Sequence, residues 1–350
     1  MKKWFTIAGA LILMGGLMFT MTGCAGGWHF GGKRVETSTD ITEGFSNIDI
    51  ITDTYDITLA PSQDGNCRLV TYGNKKITHT ASVEDGTLKI HINDSRKWFE
   101  RIFGWYTNLL TLYLPEAEYA SLSISEDTGN ISISGYKFDN VNIDLSTGNV
   151  TIQDVTCADF RLTLSTGDTC INGLACSSFT TSASTGDISV NNITASGNVH
   201  IDRSTGHINV NTAKIGGNLS TVTSTGKNEI RLAECAGNLE VNVSTGKSLL
   251  SDINCANLAS TGDTGDIGMS NVIASGQFSI KRETGDVSFD RCDAAEIYVT
   301  TDTGDVTGTF LSEKIFQVRT DTGKVNVPES WSGGKCKIET DTGDIKISVE

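Results

Sequence analysis

The stretch STGDISVNNITASGNVHIDRSTGHINV, residues 184–210, contains one full period of the pattern that decides the fold. A Thr-Gly dipeptide opens it and returns 20 residues later. The dipeptide occurs twelve times at intervals of 19 or 20 residues, with its glycines at Gly129, Gly148, Gly167, Gly186, Gly206, Gly226, Gly246, Gly265, Gly285, Gly304, Gly323 and Gly343. A fixed period of this length is typical of stacked supersecondary units.

Apolar residues keep fixed distances from these glycines. The positions seven and five residues before the glycine are mostly apolar, as in Val199 and Ile201 before Gly206. The positions two and four residues after it are apolar as well, as in Ile188 and Val190, and further apolar columns follow at seven and nine. A spacing of two is strand periodicity, with polar residues between facing solvent. Each repeat therefore consists of two or three short strands joined by tight corners.

This pattern predicts an all-β fold, a single-stranded parallel β-helix or β-solenoid with about 12 coils of 19–20 residues over residues 121–350. One coil cannot bury its apolar face alone, so the stacked coils share a continuous core. The Thr-Gly dipeptide suits a corner, because glycine reaches positive φ and stacked threonines can hydrogen-bond from coil to coil. Charge in the column after the glycine is expected to vary freely, since it contains Asp168 and Asp187 but also Lys227 and Lys247.

The N-terminus has the pattern of an export signal. Lys2 and Lys3 precede an apolar run over residues 4–21, which indicates a signal peptide or a membrane anchor. The run ends in Met-Thr-Gly-Cys, which resembles the lipobox of bacterial lipoproteins and assigns the lipid-bearing role to Cys24. We interpret residues 1–23 as a lipoprotein signal peptide, with an uncleaved membrane helix as the alternative, and residues 24–38 as a Gly-rich tether. Both alternatives anchor the chain to the bacterial cell membrane, on its extracytoplasmic side.

Charge and cysteine usage exclude some classes of partner. The formal net charge is −15, from 27 basic and 42 acidic residues, which argues against nucleic acid and against adsorption on an anionic membrane. Cys157, Cys176, Cys235 and Cys255 share the column nine residues after a glycine. We expect them to be reduced, buried core residues. Disulfides between Cys157 and Cys176 and between Cys235 and Cys255, which lie on successive coils, are the alternative.

Residues 39–120 lack the regularly spaced Thr-Gly dipeptides but keep the alternation of apolar and polar residues that is typical of strands. We therefore interpret them as irregular coils that cap the solenoid. Tyr55 replaces the glycine in a repeat-like stretch, and Asp85-Gly86 predicts a hairpin turn. One insertion is rich in aromatic residues and is either a plug over the core or a partner-binding or membrane-surface tip; its aromatic residues are Trp98, Phe99, Phe103, Trp105 and Tyr106.

Acidic residues flank the last corners on both sides of the glycine: Asp263, Asp266, Glu283, Asp286, Asp302, Asp305, Asp341 and Asp344. Such a ladder either stays solvated or recruits Ca²⁺. The spacing is not that of calcium-binding β-rolls and Lys324 interrupts the ladder, so we expect a solvated surface with no metal and no cofactor. The Asp-Thr-Gly triplet of aspartic proteases occurs here as well, but serine replaces its aspartate at six corners, so it belongs to the repeat.

The sequence of the repeat resembles that of a known family. Residues 45–50 (FSNIDI), 86–90 (GTLKI), 112–115 (LYLP) and the Ser/Asp-Thr-Gly-Asp/Asn-Ile-x-Ile repeats are similar to the bacterial "putative adhesin" family of β-strand-repeat proteins, a domain of unknown function. The resemblance covers roughly residues 40–350. It implies a right-handed β-solenoid at the bacterial envelope, with no established enzyme activity and no catalytic residues to carry over.

Two functions follow from these observations. The first is a non-catalytic surface-displayed adhesin or binding module with an unknown protein or glycan ligand, and the second is an envelope-stress signalling or scaffolding component that contacts a membrane protein. A carbohydrate-active β-helix enzyme is a remote alternative, because the coils leave no room for catalytic loops. The final coil, residues 341–350, is expected to lie uncovered at the end of the rod, where its Ile345 and Ile347 invite self-association or a partner.

Overall fold

The computed structural model describes residues 34–74, 76–94 and 108–350, and all regular elements in these ranges are strands. Residues Lys33–Glu350 form one compact unit. Its N-terminal strands are β1 (Arg34–Ile41), β2 (Asn47–Pro61), β3 (Cys67–Asn74), β4 (Ile77–Glu84), β5 (Thr87–Asp94) and β6 (Asn108–Leu114).

The repeat region contributes the remaining strands: β7 (Glu118–Thr128), β8 (Ile131–Ser134), β9 (Lys137–Thr147), β10 (Val150–Thr156), β11 (Asp159–Thr166), β12 (Thr169–Cys176), β13 (Ser178–Thr185), β14 (Ile188–Ala195), β15 (Val199–Thr205), β16 (Ile208–Ile215), β17 (Leu219–Thr225), β18 (Asn228–Cys235), β19 (Leu239–Thr245), β20 (Ser248–Cys255), β21 (Leu258–Thr264), β22 (Ile267–Thr284), β23 (Val287–Thr303), β24 (Val306–Phe310), β25 (Lys314–Thr322), β26 (Val325–Asn326), β27 (Gly334–Thr342) and β28 (Ile345–Val349).

Each Thr-Gly corner joins two strands that stack on the equivalent strands of the next coil. β11 pairs in parallel with β13 and aligns Phe160 with Phe179, and β12 pairs in parallel with β14 and aligns Ile171 with Val190. These partners lie one period apart in the sequence. Their side chains are at most 1% exposed and form one continuous core with the equivalent residues of other coils. The predicted parallel β-solenoid is therefore confirmed.

The residue after the corner glycine links successive coils through its side chain. Oδ1 of Asn149 accepts the N–H of Asp168 at 2.8 Å, and Oδ1 of Asp168 accepts the N–H of Asp187 at 2.7 Å. The same bonds join Asp266, Asp286 and Asp305. In many coils a side-chain acceptor at this position therefore satisfies the N–H of the next coil. Lys227 and Lys247 lie in the same column and offer no such acceptor, so the charge there does vary.

A second bend, which sequence analysis missed, lies six residues after most corner glycines. Its residue takes a left-handed conformation, with φ of 50° at Asp154, 56° at Asn192, 59° at Thr212 and 52° at Leu232. Glycine occupies the position in only a few coils, so no glycine column marks it in the sequence. Asparagine and aspartate tolerate this conformation, whereas threonine and leucine do so at a cost.

The N-terminal part completes one end of the solenoid. β2 forms the first coil, and the carbonyl of its Tyr55 lies against Gly129 in the position of a corner glycine. One half of β2 pairs with β5 of the β4–β5 hairpin, whose turn at Asp85-Gly86 is confirmed, and the other half pairs with β6. β6 also pairs antiparallel with β3, and β3 pairs antiparallel with β1 at the edge of the sheet. Because β1 begins at Arg34, residues 34–38 of the proposed tether belong to a strand.

The coils at the C-terminal end are not stacked in the order of the sequence. β27 pairs with β23 on one side and with β25 on the other, so that Cys336 lies between Ile297 and Phe316. β28 likewise lies between β24 and β26. The final coil of the sequence is therefore inserted between the two coils that precede it, and β25–β26 is the outermost coil of the described residues.

This order corrects the expectation that the final coil is uncovered. Ile345 is 0% exposed because it lies between Val306 and Val325, and Ile347, which pairs with Gly308, is 4% exposed. Phe316 and Val318 of β25, which occupy columns that are buried in the preceding coils, are only partly buried. The open end of the solenoid is thus formed by residues 314–326.

Candidate functional site

A long groove runs parallel to the stacking direction, along the edge of the coils eight to ten residues after the corner glycines. Its volume is about 1010 Å³. We call it the thiol groove. Its floor is the column nine residues after the glycine, and it consists of Cys157, Cys176, Ala195, Ile215, Cys235 and Cys255. Two ridges border this floor, Thr156, Ala175, Thr194, Lys214, Glu234 and Asn254 on one side and Ser177, Ser196, Gly216, Ala236, Ala256 and Ser275 on the other.

The groove exists because small side chains recur at the same point of successive coils. The floor residues point into the core and none is more than 8% exposed, so the groove is shallow. The ridge formed by the residues ten positions after the glycine contains only glycine, alanine and serine. These small side chains leave the groove open on that side. At about 4.8 Å per coil, the lining from Cys157 to Ser275 spans about 29 Å.

The backbone of the groove offers few free polar groups. The N–H of Ser177 donates to the carbonyl of Ala158 at 2.8 Å, and the N–H of Ser196 donates to the carbonyl of Cys176 at 2.9 Å. Gly216 donates in the same way to Ala195. These bonds run along the stacking direction and hold the coils together. The surface that the groove presents to a ligand is therefore mainly apolar, with the thiols almost covered in the floor and polar side chains on the ridges.

The four thiols in the floor are free and poorly reactive. Burial raises the pKa of Cys157, Cys176 and Cys255 to about 12, and it raises the pKa of Cys235 as well. Because the thiolate is the nucleophile and the metal ligand, these cysteines remain protonated and act as small apolar residues. The prediction of reduced, buried cysteines is confirmed for these four.

The acidic corner residues form two columns with different surroundings. Asp266, Asp286, Asp305 and Asp344 lie after the glycine, where each accepts a backbone N–H of the next coil. Asp263, Glu283, Asp302 and Asp341 lie two residues before it and are exposed. Within the described ranges, no group of three His, Cys, Asp or Glu residues could hold a metal ion. Asp266 also forms an ion pair with Lys247, at 2.8 Å.

Ionisable side chains inside the solenoid, which sequence analysis missed, occupy the column three residues before the glycine. Glu126 is 2% exposed and accepts the N–H of Tyr55 at 2.9 Å through Oε1, whereas its Oε2 has no hydrogen-bond partner among the described residues. Burial raises the pKa of Glu126 to about 8. Arg203 and Arg282 are almost fully buried in the same column, and Nη2 of Arg282 donates to Oγ of Ser260 at 2.9 Å. Small neighbours such as Gly262 leave room for these arginines.

Two sites predicted from the sequence lie outside the described residues. One is the lipidation site Cys24, and the other is the aromatic insertion with Trp98, Phe99, Phe103, Trp105 and Tyr106. The described part of the chain contains no helix that could span a membrane.

The fold and the recurring corner define a β-solenoid repeat protein with a groove along one edge. A family model described as Toastrack DUF4097 matches residues 45–248 and 221–350. The chain belongs to this family, which agrees with the resemblance found in the repeat text. No curated protein matches the chain.

Three solved structures illustrate how far the likeness extends. A "putative adhesin" from Bacteroides fragilis NCTC 9343 is 14% identical, with 91% of this chain and 98% of that chain covered and a TM-score of 0.25. A "putative cell adhesion protein" from Clostridium sporogenes is 10% identical, with 91% and 100% covered and a TM-score of 0.23. A "putative lipid binding protein" from Parabacteroides distasonis is 14% identical, with 89% and 97% covered and a TM-score of 0.31. Likeness at this level carries no argument about the ligand of this chain.

Proposed function

We propose that this protein is a non-catalytic binding module of the bacterial envelope, displayed outside the membrane, and that the thiol groove holds a linear hydrocarbon chain. The observation that carries the proposal is the mostly apolar surface of the groove over successive coils, with Lys214 and Glu234 as the charged side chains on its ridge. Its backbone groups are already paired within the solenoid, so an extended peptide would find few hydrogen-bond partners there. A hydrocarbon chain needs none and gains from leaving water.

The groove makes a quantitative prediction about affinity. Each buried methylene contributes about 0.8 kcal/mol, so affinity should rise by up to about 14-fold for every two methylenes added. The rise should stop when the ligand outgrows the groove. In the experiment, n-alcohols of increasing length displace a fluorescent fatty-acid probe from the compact unit Lys33–Glu350.

Two glutamate variants test whether the probe binds in the thiol groove. Ser196→Glu puts a charge on the exposed ridge of the groove and should weaken binding of the probe at least tenfold. Ser182→Glu, on an exposed face of the same coil, is the matched control and should bind like the parent protein. No binding by the parent, or equal binding by the two variants, would refute the groove as the ligand site.

Display outside the membrane rests on the export pattern that ends in Cys24. In cells whose outer layers have been removed but whose cytoplasmic membrane is unbroken, added protease should degrade the protein. Cys24→Ala should abolish metabolic lipid labelling and leave the unprocessed chain. Protection from protease in the parent, or unchanged labelling in the variant, would contradict this part of the proposal independently of the groove.

A further inference from the structure

The outermost coil, β25–β26, leaves apolar side chains uncovered. Ile315 is 42% exposed and Val325 is 46% exposed, while Phe316 and Val318 are only partly buried although their columns are buried in the preceding coils. Nine large hydrophobic side chains are exposed in the described part of the chain, and four of them lie in or beside this coil: Leu311, Ile315, Val325 and Trp331. The core of the solenoid therefore reaches the surface at this end.

The backbone of β25 is open on the same side. Within the described residues β25 pairs only with β27, whereas β27 itself pairs on both sides. The outer N–H and C=O groups of β25 are thus available to another strand. At the opposite end of the solenoid, the corresponding edges are formed by β4 and β1, which pair antiparallel to their neighbours.

Charges on β25 favour a partner with the same sequence. Arg319 and Asp321 both face solvent, with 73% and 53% of their side chains exposed, and they form an ion pair at 2.9 Å. If two β25 strands pair antiparallel about Thr320, Arg319 of each copy lies opposite Asp321 of the other. Opposite charges in direct cross-strand positions stabilise a sheet, and like charges there destabilise it.

The same register continues the core. Pairing about Thr320 places residues of equal parity on the same face, so the inward-facing side chains of both copies point to one interior. Val318 then lies opposite Thr322 of the second copy, and Phe316 lies opposite Lys324, just beyond the end of its β25. A two-fold arrangement uses the same surface on both copies and closes after two, as an isologous interface must.

We propose that β25 pairs with β25 of a second copy of this chain, which joins two solenoids end to end in a two-fold dimer. This interface is remote from the thiol groove in the sequence and does not depend on the function proposed for it.

The test is the molar mass of the unit Lys33–Glu350, measured by analytical ultracentrifugation over a range of concentrations. We expect a reversible monomer–dimer equilibrium. Arg319→Asp and Asp321→Arg should each shift it at least tenfold toward monomer, because each homodimer would contain two like-charge pairs. The control Lys281→Asp changes an exposed residue four positions before another corner glycine and should leave the equilibrium unchanged.

Mixing the two variants is the decisive measurement. A heterodimer of Arg319→Asp with Asp321→Arg restores two attractive pairs, so the mixture should dimerise as the parent does, and the double variant should do so alone. Recovery also shows that both variants are folded. A parent that stays monomeric, a dimer insensitive to these charges, or oligomers that keep growing beyond two, as head-to-tail stacking would produce, would each overturn the proposal.

Discussion

Nζ of Lys314 lies 2.5 Å from Oδ1 of Asp293, although the final coil of the sequence is stacked between the coils of these two residues. Lys314 is 2% exposed and also donates to Oγ of Ser312 at 2.6 Å. Between them is Gly334, which pairs with Lys314 and at which a Cβ would collide with the carbonyl of Ala295. Glycine at this position thus lets the inserted coil approach the backbone of Ala295 closely. The ion pair thus links β25 to the coil of Asp293 across the inserted coil, and it favours a spacing of two coils between them.

The Lys314→Met variant tests this contact. It keeps most of the buried hydrocarbon but removes the charged donor, so the free energy of unfolding should fall by about 1.5–3 kcal/mol. Chemical denaturation of the two proteins measures the difference. Lys346→Met, at an exposed position of the inserted coil, is the control and should change stability little. Equal effects of both substitutions would contradict the role of Lys314.

Glu126 predicts a pH dependence of stability. Its pKa is raised to about 8 in the folded protein, from an ordinary value of 4.5, so the folded chain retains a proton that the unfolded chain releases. The stabilisation is complete below about pH 4.5 and is lost as pH rises through 8, at up to about 1.4 kcal/mol per pH unit. Glu126→Gln should remove this slope.

The measurement for Glu126 is the difference in unfolding free energy between parent and variant at several pH values. Half-buried His79, whose pKa is lowered to about 4 by desolvation, affects both proteins in the same way and cancels in the difference. A difference that does not change with pH would show that Glu126 is already ionised in the folded protein.

The corner glycines predict a steep loss of stability on substitution. Gly226 has a φ of 154°, and a Cβ there would collide with the carbonyl of Gly206. Gly226→Val should therefore cost at least about 1–3 kcal/mol, because the backbone is strained and the coils are forced apart. Thermal unfolding should show a much smaller change for the neighbouring Thr225→Ser. Similar melting temperatures for the two variants would speak against a strained corner.

The second bend offers a stabilising substitution. Leu232 has a φ of 52° and is 55% exposed, so it has strain without compensating burial. Leu232→Asn should raise the free energy of unfolding by about 1 kcal/mol, since asparagine tolerates this conformation better. Leu109→Asn, at a 45% exposed strand position, should bring no gain. A lower melting temperature for Leu232→Asn would contradict the prediction.

Periodicity predicted the fold because each coil repeats the same inward and outward positions. The alignment of Phe160 with Phe179 follows from the period alone. The order of the last coils does not, because Thr322-Gly323 and Thr342-Gly343 carry the same signal. Asp344 can accept a hydrogen bond from the next coil and Lys324 cannot, but Lys227 and Lys247 occupy the same column in interior coils, so this difference does not determine the order. The observed order places Lys324 last, where its N–H donates to Asp344.

The candidate site was less accessible from the sequence. The cysteine column in the floor of the thiol groove was recognised, but a groove depends on what the flanking side chains leave open, and glycine, alanine and serine there carry no chemical signal of their own. Glu126 was missed for a related reason, since a carboxylate three residues before Gly129 replaces Leu145 and Leu164 of the following coils. The column continues the period-two alternation of the inward positions seven and five residues before the glycine, but its charged members hid this continuation.

The insertion of residues 334–349 also bears on how the chain is made. Residues 314–326 leave the ribosome first, and at that moment the place beside β23 and β24 is empty. The segment 314–326 can pair with β23 and β24 itself, because its Thr-Gly dipeptide has the same register as the one in residues 334–349, which occupy this place in the folded protein. Synthesis and stacking thus run in different orders at this end, so the solenoid cannot be completed by simple addition of coils as they emerge. The later segment has to arrive before that misplaced pairing forms or displace it afterwards, and until then an unfilled edge is exposed.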